Sequence, residues 1–197
     1  MSGARIGRRF LLGGAAAFSA ALAGGPAAMA QLRVDITKGV VQPIPIAVSP
    51  FSGGSPAAQD RGQAIAEVVA ADLAGSGLFD VLDRRAYIQT PDELRSLPRF
   101  ADWRQINAQA LVTGDIQLPP GGLLGVEFRL WDVYAGEQMR GLRFDAPEGS
   151  WRRVAHKIAD VIYERLTGEP GYFDTKIAYV AESGPPTRRV KQIAMMD

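Results

Sequence analysis

The chain has 197 residues, 47% of them hydrophobic, and a formal net charge of +1. That suits one ordinary globular domain with additions and argues against a basic nucleic-acid-binding surface. With no cysteine, the sequence excludes disulfides, thiolate metal sites, a cysteine nucleophile and the lipid-bearing cysteine of a bacterial lipoprotein.

Residues 1–30 read as an export signal. Arg5, Arg8 and Arg9 form a positive start with no acid, residues 10–23 are apolar and rich in alanine and glycine, and Ala28-Met29-Ala30 is a small-residue cleavage site. The mature chain then begins at Gln31 with 19 basic against 21 acidic residues. The apolar run is short for a membrane span. Arg8-Arg9 before Phe10-Leu11 leaves both the Sec and the twin-arginine routes open.

Residues 31–38 alternate polar and apolar, with Leu32, Val34 and Ile36 on one side. This predicts a strand at a free mature terminus, either an edge strand or a detachable arm. A loop over 39–43 leads to an apolar strand over 44–51, in which Pro45 removes a ladder donor. A Ser/Gly loop over 52–56 follows. The central unit is 60–84: Asp60 as helix cap with Gln63 completing a capping box, an apolar stripe of Ile65, Val68, Val69 and Leu73, a stop at Gly75 and Gly77, and a short buried strand of Leu78, Phe79, Val81 and Leu82. Strand, helix, glycine turn and strand make an α/β unit.

The next stretch is less regular: an extended segment over 86–90, a helix start at Pro91-Asp92-Glu93-Leu94, and a short helix over 100–107 with Trp103 and Ile106 inward. A strand over 110–118 precedes a β-hairpin. Leu124, Val126, Phe128 and Leu130 supply its buried face, 134–137 turns the chain, and 138–146 returns with Leu142 and Phe144. A second long helix spans 149–166 with Ser150 as N-cap and an inward stripe from Trp151 to Leu166. Arg152, His156, Asp160 and Tyr163 are assigned to a more polar face. After Thr167-Gly168 and a Pro-Gly linker, strands over 176–181 and 189–195 form a hairpin too small to be stable alone.

Signals for catalysis are thin. His156 is the one histidine, and Asp160 four residues on reads as an i, i+4 partner on a solvated helix face. Glu67, Asp72, Asp80 and Asp83 fit surface positions better than a cation site. No nucleophile-elbow, zincin or Walker pattern occurs, and no cofactor is expected. Trp103, Trp131 and Trp151 read as core or rim.

Three blocks carry a family resemblance: 44–51 with the helix and Leu73–Arg84 strand; Ala110-Leu-Val-Thr-Gly-Asp115; and Leu166-Thr-Gly168 followed by Gly171-Tyr-Phe-Asp-Thr-Lys-Ile-Ala-Tyr-Val180. Together they resemble the TolB family of the Tol–Pal system of the Gram-negative envelope. The resemblance implies an α/β fold with a mixed sheet and two main helices, followed by the first hairpin of a truncated β-propeller. It divides the chain into a signal at 1–30, an arm at 31–43, the α/β domain at 44–168, a linker at 169–175 and the propeller start at 176–197. It implies a non-enzymatic periplasmic scaffold serving envelope integrity and outer-membrane constriction at division. Its expected partners are TolA, through the arm residues Gln31, Leu32, Arg33, Val34, Asp35, Ile36, Gly39 and Val40, and the lipoprotein Pal, mainly through the propeller. Thr37-Lys38 stands where some relatives carry Asp-Ser. The competing readings are a curli-type secretion accessory and a periplasmic hydrolase.

Overall fold

The structure is a computed structural model that describes residues 42–185 and 187–196. The signal segment and the arm residues 31–41 lie outside the described residues. Strand β1 (Ile44–Val48) lies inside a mixed sheet ordered β3-β1-β4-β5-β6, with β3 at Phe79–Val81, β4 at Ala110–Gln117, β5 at Leu123–Asp132 and β6 at Glu137–Pro147. A two-residue strand β2 (Ser52–Gly53) also pairs with β4. The pairings among β1, β3 and β4 are parallel, whereas β4-β5-β6 is an antiparallel meander. The mixed α/β class expected from the sequence is the observed one.

Pro45 is tolerated inside the sheet for a local reason. Its carbonyl faces the β4 side, accepting the Gln109 N–H at 2.9 Å, one residue before β4 begins. Its missing N–H therefore falls beyond the paired part of β4.

Helix α1 (Pro56–Gly75) crosses from β2 to β3. It starts four residues before the expected Asp60. Ser55 is the cap, its hydroxyl accepting the Ala58 N–H at 3.3 Å, and Pro56 takes the first turn, where a missing N–H costs nothing. The Ser/Gly segment read as a loop thus supplies both β2 and the cap. Gln63 pairs instead with Glu67, at 3.0 Å along the helix. Ile65, Val69 and Leu73 are buried as expected, and Gly77 turns the chain with a φ of +72°.

Phe51 joins α1 to the sheet. A Cβ on Gly62 would stand 2.1 Å from the Phe51 carbonyl oxygen, and one on Gly114 of β4 would stand 2.5 Å from its ring. Only glycine on both sides lets helix and strand close on Phe51.

Helix α3 (Trp151–Thr167) lies beside α1 on the same face of the sheet. Ser150 occupies its cap position without a side-chain cap bond, after a 3-10 turn at Glu148–Ser150. Tyr163, expected on the polar face, is buried: its ring packs edge-on against Phe79, Tyr172 and Phe173. The opposite sheet face carries a smaller layer around Trp103 of helix α2 (Phe100–Gln105), with Leu94, Leu111 and Trp131. The buried Gln89 carbonyl accepts both the Trp103 indole N–H (2.9 Å) and the Arg99 amide (2.8 Å). A 3-10 turn at Arg84–Ala86 leads to an extended Tyr87, and the helix start expected at 91–94 is a 3-10 turn, Glu93–Arg95.

The last described strands, β7 (Ile177–Ser183) and β8 (Val190–Met196), pair only with each other. Ile177, Val180, Ile193 and Met195 are exposed, Ile193 at 83%.

Candidate functional site

The expected contact residues, Gln31 to Ile36 with Gly39 and Val40, lie outside the described residues. The described chain begins at the exposed Gln42 and Pro43 and enters β1 at Ile44. Strand β1 is flanked by the edge strand β3 on one side and by β4 on the other. The two edges of that sheet are unequal, with three residues in β3 and eleven in β6.

Two polar constellations remain among the described residues. The first is a groove of about 370 Å³ on the face of the sheet beside Leu94. The Arg95 guanidinium donates to Asp115 at 2.6 Å and to the Ser52 hydroxyl at 3.0 Å, and that hydroxyl donates on to Asp115 at 3.0 Å. Arg129 pairs with Glu127, while Arg143 bridges Asp145 (3.1 Å) and Gln117 (3.2 Å). Each of these charges has an opposite partner, so the groove is a partly exposed ionic lattice with little net field, and such surface pairs stabilise weakly.

The second is a pair between the two long helices. His156 Nδ1 lies 2.7 Å from Asp72 Oδ2, with both side chains less than one-fifth exposed. Burial pushes the Asp72 carboxyl above its ordinary range, and the bond to His156 pulls it back. This overturns two expectations. His156 does not pair with Asp160, and Asp72 is not a surface acid; they meet because α1 and α3 pack side by side. No local pattern could reveal a bond between positions 84 residues apart. The Asp160 carboxylate instead accepts the backbone N–H groups of Phe173 and Asp174.

A histidine–carboxylate pair needs a nucleophile to become a hydrolytic site. Ser150 lines the same cavity as His156 but makes no hydrogen bond to it among the described residues. The other acids lie apart: Glu67 binds Arg84 and Gln63, Asp83 caps the Arg84–Ala86 turn, and Asp80 is exposed. Among the described residues no group of three or more acids or histidines converges as a metal would require, and no helix is long and apolar enough to cross a membrane. Trp103 and Trp131 are core, whereas Trp151 lies half-buried with the guanidinium carbons of Arg61 and Arg152 each 4.9 Å from its ring.

The sequence model of the TolB amino-terminal domain matches residues 32–139. The chain belongs to the TolB amino-terminal domain family. Over 170 residues it is 50% identical to the Tol-Pal system protein TolB of Paramagnetospirillum magneticum, covering 86% of this chain and 38% of that relative. It superposes on the crystal structure of TolB from Acinetobacter baumannii with a TM-score of 0.64 at 28% identity, covering 85% of this chain and 39% of that one. The chain thus spans less than two-fifths of the length of either relative. The stretch matched by the TolB domain runs from Leu32 into the start of β6 and so contains all the expected contact residues but Gln31.

Proposed function

We propose that this chain is the arm-bearing part of a non-enzymatic, periplasmic scaffold of the Tol–Pal system. Residues 31–41 bind the periplasmic end of TolA, and a β-propeller beginning near Lys176 binds Pal. The link serves envelope integrity and outer-membrane constriction at division. The observation that carries this reading is the TolB domain match over 32–139, which takes in residues 32–41 together with β1 to β5 and the start of β6.

The chemistry is that of strand addition. Residues 31–38 alternate polar and apolar, so an extended arm offers unpaired backbone groups to a partner's sheet edge and one apolar row, Leu32, Val34 and Ile36, to its surface. The exposed apolar side chains of β7 and β8 support the propeller part, because a two-stranded hairpin is marginal until other strands cover it. The test is removal of residues 31–41. Capture of the TolA periplasmic domain is expected to be lost while Pal capture by the complete protein is retained. Undiminished TolA capture contradicts the reading.

A further inference from the structure

Beyond Gly168 the chain reads Glu-Pro-Gly-Tyr-Phe-Asp, a composition that by itself suggests a loose tether. The structure shows it fastened to α3 by four kinds of contact. Asp160 Oδ1 accepts the Phe173 N–H at 2.6 Å, and Oδ2 accepts the Asp174 N–H at 3.2 Å. A Cβ on Gly171 would stand 2.4 Å from the Asp160 Cα, so the backbone lies directly on the helix. The Tyr172 and Phe173 rings meet Tyr163 edge-on, with centroids at 5.4 and 5.7 Å. The Asp174 carboxylate accepts from Arg153 Nε at 3.2 Å. Arg153, Asp160 and Tyr163 stand seven and three residues apart and so share one side of α3.

We infer that residues 171–174 are a clasp, locked by the Asp160 carboxylate, that transmits the orientation of α3 to the chain that follows. A carboxylate accepting two backbone amides makes charge-assisted bonds, stronger than neutral ones. The aromatic cluster shields the site, and the glycine sets the approach distance. Opening the clasp is a discrete step, because it exposes Asp160 and two amides at once. Any partner that reorients the chain after Asp174 therefore acts on α3 through a two-state contact. This device goes beyond the scaffold reading and holds whether or not the arm binds TolA.

The test uses the native lack of cysteine. Spin labels at Asp60→Cys, exposed on α1, and Thr187→Cys, exposed between β7 and β8, report the distance across the clasp in the full chain. One narrow distance distribution is expected with the clasp intact. Asp160→Ala and, separately, Gly171→Ala are expected to lose the single peak. Amide exchange at Phe173 and Asp174 should accelerate roughly ten- to a hundredfold. Gly171→Ala leaves α3 chemically unchanged, so it separates loss of the clasp from damage to the helix. An unchanged narrow distribution in both variants overturns the proposal.

Discussion

At the scale of single residues, the contact between Asp72 and His156 ties the two long helices together. It joins α1 to α3 at 2.7 Å where neither side chain is well hydrated. A hydrogen bond to a charged group is worth about 1.5–3 kcal/mol. A double-mutant cycle of Asp72→Ala and His156→Ala is expected to give coupling of that size in urea unfolding. The pH dependence has a definite sign. Burial raises the Asp72 carboxyl in the folded state, so its contribution is intact below the ordinary value of 3.8 and is lost as pH rises through the raised value. His156 offsets that loss, so His156→Ala should be more harmful at neutral pH than below 3.8. Glu93 behaves in the opposite way. The Thr90 amide, Arg99 and the Thr90 hydroxyl hold its carboxyl down to about 2. Its contribution is present above the ordinary 4.5 and fades as pH falls through about 2. A side-chain NMR titration with its midpoint near the ordinary value would contradict these contacts.

At the scale of elements, Phe51 between Gly62 and Gly114 sets how closely α1 can approach β4. Gly114→Ala forces a methyl group to within 2.5 Å of the Phe51 ring, and such overpacking typically costs about 1–3 kcal/mol. A lowered unfolding midpoint is expected, whereas Gly54→Ala, whose Cβ meets nothing within 4 Å, should change little. The elements also separate what a sequence can disclose from what it cannot. The stripe of Ile65, Val69 and Leu73 and the alternation of Leu124, Val126, Phe128 and Leu130 were legible because each period is local. The start of α1 was misread because Asp60 and Gln63 imitate a capping box, while Ser55-Pro56 provides both a side-chain cap and a proline at the first turn. Helical spacing puts Tyr163 on the more polar face of α3, yet its ring completes an aromatic cluster built by residues in β3 and beyond α3. Asp160 looked like a partner for His156 because both lie on one helix; the true partners of each come from other parts of the chain.

At the scale of the whole molecule, the α/β domain satisfies its polar groups largely from within. Its polar groove is neutralised internally, and its histidine is occupied in holding two helices together. The chain after Gly168 is fastened to α3 before it reaches an exposed apolar hairpin. The family match extends to Leu32, within the segment proposed to bind TolA. The alternation over 31–38 is a feature of the sequence alone, and the role proposed for it rests on resemblance, because an eight-residue strand pattern does not name its partner. Calorimetric titration of the TolA periplasmic domain with the intact mature chain and with the same chain lacking residues 31–41 tests the central claim most directly. The account predicts saturable binding by the intact chain and none by the shortened one. Equal affinity for both would place the TolA contact elsewhere and contradict it.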